Sequence, residues 1–365
     1  ERSDFMNFVF RVDASLNIGT GHVMRCLTLA DELYKHGHAS HFLCREHEGH
    51  LGDYISKRGH QLTLLPPSKI NQSSEQNLDN YSLWLGVTNE QDANETLKLI
   101  SSVKPDWLVV DHYGLDSEWE SAMTDVTDKI MVIDDLANRK HSCDMLLDQN
   151  LVNNMKSRYR HLVSNETKLL LGPKYAILGK EYTLQREKIT FRSNQIKKVL
   201  ISFGGMDEFN LTGQLIEHLS SNKFKNIQFE VVVTDSFVFL DEVLSKSIRQ
   251  NFNIHRNLES LASLMKECDL AIGAGGTTTW ERLSLALPSV VITVADNQLE
   301  TASALHKRGL IHWLGHYDSL DEKWKENLDF LIQSKDINEE ISRKIFSLVD
   351  GSGAKKVKRN LMSLI

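Results

Sequence analysis

Apolar runs of four to seven residues recur along the chain, separated by longer stretches whose apolar positions fall three and four apart. The runs read as buried strands and the stretches as amphipathic helices. In the first half this predicts strands at Asn7–Val12, Ser40–Cys44, Gln61–Leu65, Trp107–Asp111, Ile130–Asp134 and Met145–Leu147. Helices are predicted at His22–His36, Asn89–Ser102 and Ser117–Thr124. Such alternation implies a parallel sheet covered on both faces. From Gly179 to Lys198 the chain turns charged (GKEYTLQREKITFRSNQIKK), which reads as a helix and a connector. The alternation then restarts. Strands are predicted at KVLISF, FEVVV, Phe252–His255, DLAIG and SVVITV, with helices at Leu211–Ser220, Val238–Ile248, Ser260–Lys266 and Thr278–Leu287. The expected organisation is therefore a first α/β domain over 6–180, a linker over 181–197 and a second α/β domain over 198–350. A final helix over 351–365 is expected to pack back on the first domain. Two doubly wound halves with a cleft between them would bind ligands at the carboxyl ends of their strands.

Composition narrows the function classes. The 365 residues are 41% hydrophobic and 25% charged, with a formal net charge of −7, so most of the chain is expected to be globular and soluble. The acidic balance argues against nucleic acid and anionic membranes as partners. No run reaches the ~18 apolar residues of a membrane span. No secretory signal is visible, and Cys26, Cys44, Cys143 and Cys268 form no CxxC pair. The expectation is a cytoplasmic monomer acting on a small molecule.

Four loops could carry chemistry. In VDASLNIGTGHVMRCLTLA a strand ends, Gly19-Thr20-Gly21 turns the chain, and a helix begins at His22. Glycines let backbone approach a ligand, and a helix start offers unpaired N–H groups to an anion. Met24 occupies the third glycine position of GxGxxG, which counts against a dinucleotide fold, and a plain strand-to-helix turn stays open. An imidazole in the positive field of a helix N-terminus is favoured in its neutral form, able to take a proton from water; a lining histidine is the alternative. Asp13 and Arg25 flank this loop as substrate-binding candidates. The second loop, LISFGGMDEFN, pairs Gly204 and Gly205. In the third, DLAIGAGGTTTWERL, Gly275, Gly276, Thr277 and Thr278 suit a diphosphate, and Glu281 one turn on suits ribose hydroxyls or simply solvent. The fourth ends a strand at Asp296-Asn297-Gln298, where Asn297 and Gln298 are cleft-lining or capping candidates. Six histidines between His36 and His60 lack metal-site spacing, and neither GxxxxGK[ST] nor Asp-x-Asp occurs. No metal and no cofactor are expected.

Taken together, FRVDASLNIGTGHVMRCLTLA, DHYGLD, DDLANRKHSCDMLLDQN, LLGPKYAIL, SFGGMD, GAGGTTTWERLSLALPSVVITVADNQ and DGSGAKKV resemble the UDP-sugar hydrolases of pseudaminic acid biosynthesis, from about Phe10 to Val357. The second half is also similar to the peptidoglycan N-acetylglucosaminyltransferase. The resemblance implies a GT-B architecture with UDP held mainly by the C-terminal domain. It further implies hydrolysis of UDP-2,4-diacetamido-2,4,6-trideoxy-β-L-altropyranose at the anomeric C–O bond, with inversion and without a metal, on the way to a nonulosonic acid. By motif match, His22 in GTGH is the catalytic histidine, Tyr113 in DHYG an active-site tyrosine and Asn297 in DNQ a substrate contact. On architecture, uracil is expected against the loop His255–Leu258. A GT-B glycosyltransferase and a non-catalytic sugar-nucleotide sensor are the alternative readings.

Overall fold

A computed structural model describes residues 5–67, 80–192, 195–246, 251–334 and 339–364. The chain divides into two compact units. The first contains the described residues up to Asn150, Asn154–Ile177, and the chain from Gly353 on; the second contains Leu151–Asn153 and Leu178–Ser352.

In chain order the first unit supplies β1 (Asn7–Val12), α1 (Gly21–Tyr34), β2 (Ala39–Arg45), α2 (Gly52–Lys57), β3 (Gln61–Leu65), α3 (Asn80–Leu85), α4 (Asn89–Val103) and β4 (Trp107–Asp111). It continues with α5 (Ser117–Ala122), β5 (Lys129–Ile133), β6 (Met145–Asp148) and β7 (Lys168–Leu171). The seven strands pair in parallel in the order β3-β2-β1-β4-β5-β6-β7. Successive side chains point to opposite faces, so each strand feeds two cores. Phe8, Phe10, Trp107, Val109, Met131 and Ile133 lie in one cluster, and Val9, Leu108, Val110, Ile130 and Val132 in the other. That double burial is why these strands read as continuous apolar runs.

The second unit supplies α6 (Lys180–Arg186), β8 (Lys198–Ser202), α7 (Leu211–Leu219), β9 (Gln228–Val233), α8 (Leu240–Lys246), β10 (Phe252–Arg256), α9 (Ala262–Glu267) and β11 (Leu270–Gly273). Then follow α10 (Thr278–Ser284), β12 (Ser289–Thr293), α11 (Leu299–Lys307), β13 (His312–His316), α12 (Trp324–Gln333) and α13 (Glu339–Leu348). Its strands are again parallel, in the order β10-β9-β8-β11-β12-β13. The end of the helix expected at Val238–Ile248 lies outside the described residues. The helix expected to reach Leu287 stops at Ser284, because Ala286 takes a left-handed backbone (φ 56°) ahead of Pro288. The last helix, α14 (Gly353–Met362), belongs to the first unit and buries Val357 and Leu361 in its core.

Each sheet reverses its strand order once, between β1 and β4 in the first unit and between β8 and β11 in the second. Loops leaving the carboxyl ends of such strand pairs splay apart and open a binding crevice. The three glycine loops identified in the sequence leave β1, β8 and β11, and the fourth candidate loop leaves β12.

Candidate active site

β1 ends at Val12, and the chain returns to α1 through a short loop closed by the Gly19 amide donating to the Ser15 carbonyl (2.9 Å). Gly19 holds φ +79°, a conformation side chains disfavour. His22 is thus the second residue of α1. Its Nδ1 lies 2.7 Å from Oδ1 of Asp111, the last residue of β4. The sheet order makes this contact: β1 and β4 are neighbours, so the start of α1 meets the end of β4. A carboxylate at Nδ1 fixes the proton there and leaves the Nε2 lone pair available.

Arg25, three positions on and so on the same helix face, donates Nε to Asp111 Oδ2 (2.6 Å) and Nη2 to Asp111 Oδ1 (2.6 Å). It also donates to both oxygens of Asp135 (3.1 and 2.8 Å). Burial pushes the Asp111 carboxyl up, but the Arg25 guanidinium and His22 outweigh it and hold it well below the usual range. Arg25, named as a substrate contact, is therefore a buried strut between two carboxylates. The Tyr113 hydroxyl donates to Asp135 Oδ2 (2.6 Å), and Asn150 Nδ2 donates to Asp135 Oδ1 (2.8 Å). Burial, then Asp135, pushes the Tyr113 phenol well up, so it stays protonated. Its ring meets the His22 ring edge-on at 4.6 Å. Trp84 of α3 stacks on Tyr113 at 5.5 Å and 22°.

Asp13, a substrate-binding candidate in the sequence, is instead buried among cations. It is 1% exposed, takes two hydrogen bonds from Arg11 (2.6 and 2.9 Å) and one from the Arg45 amide (2.7 Å), and faces His112 Nε2 at 3.4 Å. Arg11 in turn donates to Asp92. Asp13 braces the ends of β1 and β2, and the carboxylate that reaches His22 is Asp111.

In the second unit, Gly204 (φ +86°) and Gly205 are exposed beyond β8, and the Gly205 carbonyl accepts from the Thr234 hydroxyl. Asp207 caps α7, accepting from the Leu211 and Thr212 amides (3.0 and 2.8 Å). After β11 the Gly275 amide donates to Gln298 Oε1 (3.1 Å), which also takes the Val294 amide (3.0 Å). Gln298 therefore clamps two strand-end loops together, and the Gly275 amide is engaged within the protein. Among the described residues nothing accepts from the amides of Gly276, Thr277 or Thr278, the donors a helix start leaves open. Asn297 is exposed in the 3₁₀ turn Asp296–Gln298. Glu281 is half-buried rather than solvent-facing; the Tyr182 hydroxyl of α6 donates to it, and burial pushes its carboxyl up to about 7.

Sequence reasoning missed Asp111, Asp135 and Trp84. The signal for the two carboxylates was present, since each follows an apolar strand at its carboxyl end, in DHYG and DDLANRK. No comparable signal marked Trp84.

No family model matches the chain. It is 28% identical over 305 residues to an uncharacterized protein of Methanocaldococcus jannaschii, covering 81% of this chain but only 57% of that protein. It is 28% identical over 308 residues to the UDP-2,4-diacetamido-2,4,6-trideoxy-beta-L-altropyranose hydrolase of Campylobacter jejuni, covering 83% of this chain and 97% of the relative. The resemblance read from the motifs holds. Among solved structures, Acinetobacter baumannii MurG superposes with a TM-score of 0.67 at 12% identity, covering 98% of this chain and 99% of that one. At that identity the likeness concerns fold, and the fold is GT-B. Among the described residues no helix is long and apolar enough to cross a membrane.

Proposed function

We propose that the chain is a UDP-sugar hydrolase that cleaves the anomeric C–O bond of UDP-2,4-diacetamido-2,4,6-trideoxy-β-L-altropyranose with inversion, releasing UDP and the free sugar. The observation that carries this reading is the His22–Asp111 contact at the sheet's reversal point. A water oxygen attacks the anomeric carbon while its proton passes to His22 Nε2. The bond from that carbon to the β-phosphate oxygen breaks, and its electron pair leaves with UDP. Asp111 stabilises the imidazolium that forms, and base assistance of this kind contributes ~10²–10⁴-fold. The Tyr113 hydroxyl commits its hydrogen to a bond with Asp135, so its oxygen offers lone pairs to the water or the sugar. In the second unit, the amides of Gly276 and Thr277 and the Thr278 amide and hydroxyl receive the charge growing on the diphosphate. Gly204 and Gly205 leave room beside it. Glu281 binds ribose, the loop at His255–Leu258 takes uracil, and Asn297 contacts the sugar. With amide donors in that role and UDP an inherently good leaving group, the reaction is proposed to run without a metal ion.

The test is turnover in ¹⁸O-labelled water, followed by NMR with and without an added sugar acceptor. Hydrolysis as proposed puts the label on the sugar, gives the inverted anomer first, and needs no acceptor. Label on UDP, or sugar release only when an acceptor is present, overturns it.

A further inference from the structure

We infer that Trp84 is a specificity-determining residue: its indole forms an apolar wall beside His22 that selects a sugar carrying methyl and hydrogen substituents over one carrying a hydroxyl there. The inference deepens the proposed hydrolase reading and rests on it for the sugar's chemistry.

Among the described residues, the charged groups that meet His22 do so at Nδ1. Asp111, Arg25 and Asp135 form a closed set of hydrogen bonds behind it. Aromatic rings also flank the imidazole. Trp84 lies edge-on to the imidazole at 6.3 Å and covers Tyr113 at 5.5 Å, nearly parallel. Tyr81, one helical turn earlier on α3, meets Trp84 and Tyr113 edge-on at 5.0 and 5.2 Å and fixes their orientation. The residue α3 commits to the core is Leu85, which is 1% exposed, whereas Trp84 keeps part of its surface open. A core-filling role would call for the reverse.

An indole packs well against C–H bonds but offers its face no hydrogen bond for a hydroxyl. A hydroxyl pressed there loses its water partner without replacement, which costs free energy, while a methyl group in the same place gains. The wall therefore discriminates by what the sugar lacks. A trideoxy sugar with acetamido methyl groups fits it, and a sugar with a hydroxymethyl group does not.

The experiment measures binding by calorimetry in a His22→Ala background, so that turnover does not intervene. The probes are UDP, UDP-N-acetylglucosamine and the UDP-diacetamido-trideoxy sugar. Adding Trp84→Ala should weaken the trideoxy sugar nucleotide about tenfold. UDP should change by less than about twofold, UDP-N-acetylglucosamine should bind no more weakly than before, and Trp84→Phe should restore most of the loss. An unchanged affinity, or an equal loss for all three probes, overturns the inference. If Trp84→Ala weakens the trideoxy probe selectively but wild-type protein releases no free sugar, the hydrolase reading fails while the wall stands.

Discussion

Nδ1 of His22 meets Asp111, which leaves Nε2 as the nitrogen that would serve as the proposed base. Removing the ring and removing its anchor should therefore look alike. His22→Ala and Asp111→Asn should each lower kcat by about 100-fold or more, with UDP affinity within about twofold of wild type. The double variant should be little worse than either, because the two act as one unit. Steady-state kinetics alongside UDP calorimetry checks this; fully multiplicative losses would separate the pair. Glu281 makes a pH-dependent prediction. Burial raises its carboxyl to about 7, against Tyr182 and Arg282, which favour the ion, and with Glu181, which opposes it. Its folded-state value lies above the unfolded one, so its contribution to stability is fully present below about 4.5 and is lost as pH rises through about 7. Glu281→Gln should thus gain stability relative to wild type between pH 5 and pH 8, read from denaturation midpoints. The same variant should weaken UDP-sugar binding more at pH 8 than at pH 5.5, where the wild-type carboxyl is already protonated.

Elements differ in how plainly they showed in the sequence. β1, β3 and β4 match their apolar runs to the residue, and α4 agrees to within one residue. β1 and β4 lie inside the sheet, β3 is an edge strand but is bracketed by Gly59 and by Pro66-Pro67, and the helix has a threonine cap. β7 and β13 were not legible. Both are edge strands, half-buried, and β13 (HWLGH) carries two histidines and a glycine in five positions. A strand with one neighbour has less need of a continuous apolar run. The site divides along similar lines. His22 was legible because glycine loop and helix start are local signals, whereas its partner Asp111 stands 89 positions away and is found only through the order of strands. Glycines that looked alike in sequence also separate here. A methyl group on Gly273 would sit 2.4 Å from the Ser202 carbonyl and 2.6 Å from Arg282 Nη1, while Gly276 has room. Gly273→Ala should cost about 1–3 kcal/mol through overpacking and lower the Tm of the second unit by several degrees. Gly276→Ala should leave Tm nearly unchanged and raise KM. Scanning calorimetry and kinetics on both variants would show whether β11's glycine holds the sheet and its successor the ligand.

The whole molecule is two units of similar plan, but only one of them is built from nearly continuous chain. The first unit takes its last helix from the far end of the sequence. Val357 and Leu361 of α14 are fully buried in the same cluster as Leu29 and Ala30 of α1. Ending the chain at Ser352 removes both, a loss of about 3–6 kcal/mol of burial, comparable to the whole stability of a domain. The truncated protein should show the first unit melting well below the second, where the intact chain melts with the two transitions closer together. Unchanged melting of the first unit would mean that α14 is dispensable.

This arrangement also sets a timetable for synthesis. Once residue 177 has been made, about 175 more must be added before the missing helix begins, roughly 10–35 s at ordinary elongation rates. Through that interval the greasy flank of α1 has nothing to rest on, and the growing polypeptide presents it to whatever chaperones attend the ribosome. Birth order and assembly order therefore part company: the half that emerges first is the half that finishes last.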